Sequence, residues 1–249
     1  MATRKSRKTK TTKAAYQVPP GHVLVMRTCK PDMTSHNGFG WPKSGHVECS
    51  DWTATPECGQ GLHGFLWGEG DGSLANWDSD AVWLVVEVNA DCVVEIPTGK
   101  VKFQSGTVVH CGTRETATTF VREHAAGARS IVGGTSTSGD RGTSTSGYGG
   151  TSTSGYGGTS TSGDGGTSTS GSWGTSTSGD RGTSTSGDRG TSTSGYGGTS
   201  KTGSVGIVVC RWYDGARYRL TVGYVGEDGI KPDAFYRCDD QGKLVEVSK

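Results

Sequence analysis

The chain has 249 residues, a formal net charge of +1, 43 glycines and only 31% hydrophobic residues. That length allows one or two domains. No apolar run approaches the roughly 18 residues that a membrane-spanning helix needs, so no membrane contact is expected. Seven cysteines are an odd number for a disulfide framework; reduced thiols in a cytoplasmic product are expected instead.

Residues 1–13 carry Arg4, Lys5, Arg7, Lys8, Lys10 and Lys13 and no acid, while the other 19 bases face 24 acids. Segment 1–16 reads as a disordered basic tail. It has no apolar core segment and does not read as a signal peptide. Its charge suits solubility or weak contact with nucleic acid.

Segment 17–132 reads as a small α+β domain. His22–Arg27, Val82–Val88, Cys92–Ile96, Val101–Phe103 and Gly106–His110 are β-branched runs bounded by turn residues. Residues 30–80, rich in Gly, Pro, Trp and Asp, read as loops with short elements. Thr116–Ala126 has Ala117, Phe120, Val121 and Ala125 at helical spacing. The residues His46, Cys49, Cys58 and His63 are of types that complete a tetrahedral zinc site. Their spacing matches no common finger or ribbon, and buried thiols with hydrogen-bonded imidazoles are the alternative, so no cofactor is assigned. His63, His110 and Cys111 are also the residue types of a cysteine nucleophile with a base. No phosphate loop is present, since Gly68–Gly72 lacks the Lys-Ser/Thr pair.

The run Cys58-Gly59-Gln60-Gly61-Leu62-His63-Gly64, followed by a strand at 82–88 and by Lys100-Val101-Lys102-Phe103, resembles the first domain of an uncharacterised phage- and prophage-encoded family. In that family short Ser/Ala/Thr repeats follow, then a closing module. Ile230-Lys231-Pro232-Asp233-Ala234-Phe235-Tyr236 is similar to that module's signature, with one extra residue. The resemblance implies a viral or prophage origin and carries no established activity.

Residues 135–206 repeat one eight-residue phrase without a slip in register, Thr-Ser-Thr-Ser-Gly-x-x-Gly in eight copies and Thr199-Ser200-Lys201-Thr202-Gly203 in the ninth. The alternating half favours strand and the Gly-x-x-Gly half favours a turn. Two copies then make a sixteen-residue coil, and stacked coils make a short two-sheet β-solenoid over 133–206. Nine copies give about four and a half coils, a rod only about 20 Å long. Ser136, Ser138 and their equivalents are placed inside, because the gap between sheets is narrow and a stacked serine ladder would satisfy its own hydroxyls. The inverse register would bury threonine methyls instead. The outward rows are then Thr135 and Thr137, Thr143 and Thr145, Thr151 and Thr153, Thr159 and Thr161, Thr167 and Thr169, Thr175 and Thr177, Thr183 and Thr185, and Thr191 and Thr193.

Such a rod buries little apolar surface and needs capped ends. Counting on in eights lands on Ile207-Val208-Val209-Cys210, an apolar rung in phase that opens a C-terminal β capping module, 207–249. Ala125, Ala126, Ile131 and Val132 are placed to seal the first rung. A flexible linker, the competing reading of this composition, explains neither the strict register nor the in-phase cap.

Gly155-Tyr156-Gly157-Gly158-Thr159-Ser160-Thr161 resembles the repeats of bacterial ice-nucleation proteins, and an outward Thr-x-Thr array resembles those of ice-binding solenoids. The expected function is therefore a non-enzymatic, phage-encoded solenoid whose threonine rows act as a spacer or bind a macromolecule. One alternative is ice binding, with ordered water or ice on the threonine faces. Another is a ligand-binding or enzymatic first domain with the repeat as scaffold. Tyr148, Tyr156 and Tyr196 at the turns either pair subunits of a homo-oligomer or stack within the rod.

Overall fold

The computed structural model describes residues 16–35 and 38–248. The six basic residues of the tail lie outside the described residues. The first part comprises β1 (His22–Cys29), β2 (Gly45–Glu48), β3 (Leu62–Leu66), β4 (Val82–Asn89), β5 (Val94–Ile96), β6 (Lys100–Phe103), β7 (Ser105–Gly112) and α1 (Arg114–His124). The strands form one antiparallel sheet in the order β2-β7-β4-β1-β3-β6-β5. β1 and β4 pair along all eight residues, from His22↔Asn89 to Cys29↔Val82. Alternate residues of these strands feed two apolar clusters, Val25, Leu84 and Val86 on one face and Leu24, Met26 and Val85 on the other. Burial on both faces explains why β4 reads as a continuous apolar run.

The short elements of residues 30–80 include two strands, β2 and β3. β3 is hidden in the sequence because Gly64 interrupts it. A Cβ there would meet Val25 Cγ1 at 2.5 Å and the Met26 carbonyl oxygen at 2.7 Å, so close strand packing demands glycine. α1 starts two residues before its apolar spacing indicates, because the Thr113 hydroxyl caps it by accepting from the Thr116 amide at 3.4 Å.

Each repeat is one strand and one turn. The strands are β8 (Thr135–Thr137), β9 (Thr143–Thr145), β10 (Thr151–Thr153), β11 (Thr159–Ser162), β12 (Thr167–Thr169), β13 (Thr175–Ser178), β14 (Thr183–Thr185), β15 (Thr191–Ser194) and β16 (Thr199–Lys201). Successive strands alternate between two parallel sheets, so a residue meets its equivalent sixteen positions on, as in Ser160↔Ser176. β17 (Ile207–Tyr213) continues the count with Ser192↔Val208 and Ser194↔Cys210, which completes a solenoid of about five turns. The in-phase apolar rung is thus the last solenoid strand. β18 (Tyr218–Tyr224) closes that sheet antiparallel to β17, and β19 (Phe235–Cys238) with β20 (Leu244–Val247) closes the other. Val208, Ile230 and Tyr236 form the core of the cap.

The serines point inward, as their size requires. Ser152, Ser160, Ser168, Ser176, Ser184, Ser192 and Ser200 are all 0% exposed. The expected hydrogen-bonded ladder forms only toward the ends. Ser152 Oγ donates to the Thr161 carbonyl at 2.7 Å, and Ser200 Oγ donates to the Val209 carbonyl at 2.9 Å. From Ser154 to Ser184 the inward hydroxyls have no partner. These rungs are held by the backbone ladder and by close packing.

In the first eight turns the eighth-position amide donates to the fifth-position carbonyl, as from Gly182 to Gly179 at 3.2 Å. The seventh residue holds a positive φ, the pattern of a type II turn. Glycine fills it at 149, 157, 165 and 197, but Arg141, Trp173, Arg181, Arg189 and Val205 hold φ of 55–60° there, a conformation costing a non-glycine residue about 1 kcal/mol. The eighth position stays glycine because a Cβ at Gly182 would lie 2.7 Å from Ser178 Cβ and 2.9 Å from the Gly166 carbonyl oxygen. Aspartates at position six staple one coil to the next: Asp140, Asp164, Asp180 and Asp188 each accept from the backbone amide sixteen residues on, at 2.7–2.9 Å.

The first rung is sealed differently from expectation. Ile131 and Val132 are 4% and 0% exposed and pack with α1 and β1. Ala125 is only half-buried and Ala126 is exposed, because α1 stops at His124. Tyr148 lies against Trp77 with ring centroids 5.5 Å apart, so the second turn of the rod docks onto the first sheet.

At the β17–β18 hairpin tip, Asp214 accepts from the Ala216 and Arg217 amides, both at 2.8 Å, and from Arg219. These bonds hold its carboxyl down at about 2, with the Arg217 amide the largest cause. A depressed carboxyl stabilises the fold above its unfolded value of about 3.9, and that stability is lost as pH falls toward 2. Protection of the Ala216 and Arg217 amides relative to their intrinsic exchange rates is therefore expected to fall between about pH 4 and pH 2 in the parent. In Asp214→Asn the fall should be absent; an identical profile in that variant would contradict the assignment.

Candidate functional site

The threonines occupy the two broad faces of the rod. On one face β9, β11, β13 and β15 stack Thr143, Thr159, Thr175 and Thr191 in one column and Thr145, Thr161, Thr177 and Thr193 in the next. On the other, β8, β10, β12 and β14 stack Thr135, Thr151, Thr167 and Thr183 beside Thr137, Thr153, Thr169 and Thr185. Rungs of a parallel ladder repeat every ~4.8 Å, and two threonines on one strand lie ~6.6 Å apart. Both sheets are thus rectangular arrays of paired hydroxyl and methyl groups. The first threonine of each copy is exposed as far as Thr175, and the second is half-buried between neighbours from Thr145 onward.

The two faces are not equivalent. α1 flanks the β8 face, where Arg122 donates to the Thr135 carbonyl and an open groove of about 610 Å³ separates the helix from the first rung. That face ends in Lys201, paired with Thr185. The β9 face continues through Ile207 and Val209, which stand in the threonine columns of β17.

The turn aromatics part company. Tyr148 is a docking residue, Tyr196 packs on Tyr218 at 5.9 Å, and Tyr156 is 49% exposed. Arg189 lies over the Trp173 ring at 5.0 Å, and Arg211 both binds Asp180 at 2.6 Å and covers Tyr218 at 4.4 Å. The sequence reading missed the aspartate staples; their signal was an acid recurring only at position six.

The other candidate residues do not assemble. His46 is exposed beside Glu48 at 3.6 Å, and Cys49 donates inward to the Gln104 carbonyl at 3.3 Å. Cys58 is exposed, and His63 accepts from the Gly59 amide at 3.4 Å. Among the described residues no three metal-ligating side chains converge. His110 and Cys111 are consecutive on β7 and point to opposite faces. His110 bonds the Thr116 hydroxyl at 3.0 Å and stacks on Phe120, and burial pushes the Cys111 thiol up, away from a reactive thiolate. All seven cysteines are free. In the cap, hydrogen bonding with Cys238 lowers Cys210 to about 7 and pushes Cys238 up. Lys102 is fully buried, with its ammonium 3.4 Å from the Thr55 hydroxyl and over the Trp52 ring.

The fold and its surface define a class: a short, capped β-solenoid with in-register threonine arrays on both faces. Over 105 residues the chain is 42% identical to the ice nucleation protein InaU of Pantoea ananas and to an ice nucleation protein of Enterobacter agglomerans, 42% of this chain in each case. Over 117 residues, 47% of this chain, it is 41% identical to an ice nucleation protein of Pseudomonas syringae pv. syringae. The chain spans a tenth or less of the length of these relatives, 10%, 8% and 9% respectively. A family model described as a domain of unknown function (DUF7666) matches residues 23–119. No solved structure matches the chain. These likenesses offer no support for a phage or prophage origin.

Proposed function

We propose that the chain binds ice through the threonine rows of its solenoid. The observation that carries this reading is the in-register stacking of Thr159 on Thr175 and of Thr161 on Thr177, repeated along the β9 face. A rigid array of this kind holds water through its hydroxyls while its methyls exclude disordered water from between them. The similarity to ice nucleation proteins supports the same reading. With about five turns the array is short, which suits attachment to existing ice better than nucleation. The β9 face is the main surface, since α1 flanks the first rung of the other.

The test is thermal hysteresis and ice-recrystallisation inhibition by the full chain. Thr161→Tyr with Thr177→Tyr is expected to abolish both while leaving circular dichroism unchanged. Thr153→Tyr with Thr169→Tyr, on the flanked face, is expected to act more weakly. A parent chain with neither activity would sink the proposal.

A further inference from the structure

β18 is the terminal strand of the six-stranded sheet, and among the described residues its outer edge pairs with no other strand. Open edges are normally protected by charge, by prolines or by a covering element. The last strand of the other sheet obeys that rule, because Glu246 on β20 holds Lys231 at 2.8 Å. β18 does not. Its outward row is Tyr218, Leu220, Val222 and Tyr224, which are 54%, 63%, 46% and 50% exposed. A contiguous apolar row of this kind on an unprotected edge marks an interaction surface.

The order of the row says what covers it. The outward residues of β18, Tyr218, Leu220, Val222 and Tyr224, are palindromic in character about Thr221, while Arg219, held by Asp214, and Gly223 lie on the other face. An antiparallel pairing centred on Thr221 sets Tyr218 opposite Tyr224 and Leu220 opposite Val222, so aromatic meets aromatic and aliphatic meets aliphatic at every outward pair. The charges flanking the strand are complementary too. Exposed Arg217 precedes β18, and exposed Glu227 and Asp228 follow it. Antiparallel pairing brings the basic end of each strand to the acidic end of the other. Both features are self-complementary, which is the requirement of a two-fold interface between identical chains.

We propose that β18 pairs antiparallel with β18 of a second copy of this chain, about a two-fold axis at Thr221. Backbone bonds across the edge supply affinity and the palindromic row supplies register. The two six-stranded sheets become one, and the two β9 faces lie on the same side of it. The pairing stands on the edge and its residues, independently of what the threonine rows bind.

Sedimentation analysis of the full chain tests it, with a concentration-dependent dimer expected. Leu220→Lys with Val222→Lys is expected to give monomers whose circular dichroism and melting match the parent. In a Cys58→Ser, Cys92→Ser, Cys210→Ser, Cys238→Ser background, which removes the free thiols beside position 221, Thr221→Cys is expected to form a disulfide-linked dimer under mild oxidation and Arg219→Cys is not. A parent that stays monomeric at every concentration overturns the proposal. So does a dimer that persists in the double-lysine variant, or a cross-link through position 219 in preference to 221.

Discussion

Ser176→Leu is expected to destabilise the middle of the solenoid by about 3 kcal/mol, whereas Ser176→Ala is expected to stabilise it by about 1 kcal/mol. Ser176 is 0% exposed and stacks in register between Ser160 and Ser192. Its hydroxyl has no partner, so removing it removes an unmet desolvation cost. Leucine replaces the hydroxyl oxygen with three carbons, a net gain of two heavy atoms between sheets spaced for serine and packed by the rung above and the rung below. Urea unfolding followed by circular dichroism would show the two variants moving in opposite directions from the parent. Ser152→Ala is the control, since it deletes the bond to the Thr161 carbonyl and should cost about 1 kcal/mol. A leucine variant as stable as the parent would mean that the interior is wide enough for ordinary apolar side chains.

The other large effect is expected at the cap. Val208→Asp should cost about 4 kcal/mol, because Val208 is 0% exposed and packs with Ile230 and Tyr236 without a cation to pair the new carboxylate. In a quasi-one-dimensional rod the loss of an end cap propagates inward from that end. Native-state hydrogen exchange should therefore show protection falling first at β15 and β16 and last at β9 and β10. Val208→Ala, which only trims the side chain, should cost less and keep the gradient. Uniform loss of protection throughout the chain would contradict the cap's role as a terminal seal.

The solenoid was legible because its information is local. Strand, turn, inward residue and cap phase all lie within eight residues of one another, and side-chain size decides between serine and threonine as the inward residue. What the repeat does not display is hydroxyl satisfaction. Whether Ser168 Oγ finds an acceptor depends on the sheet across the gap, and it finds none. The first sheet was less legible because its pairings are distant, with β1 meeting β4 some sixty residues on. Glycine at 64 answers to a neighbouring strand's backbone rather than to local propensity. The pairing of His46 with Glu48, Cys49 with Gln104 and His63 with Gly59 likewise comes from strand placement, which residue spacing does not encode. The threonine rows face outward because alternation sends one residue type inward and serine is the smaller of the two.

The alternation of successive repeats between two sheets gives the rod a parity. Nine repeats and β17 make an even number of strands, so the sheet holding β17 is the one opposite β8. Gain or loss of sixteen residues changes only the length of the rod. Gain or loss of a single eight-residue copy moves β17 to the other sheet, turning the cap half a revolution about the rod axis relative to the first domain. The edge strand β18 would then extend the face flanked by α1. Length can vary in steps of two copies without consequence for orientation, while an odd step reverses which threonine face the cap extends.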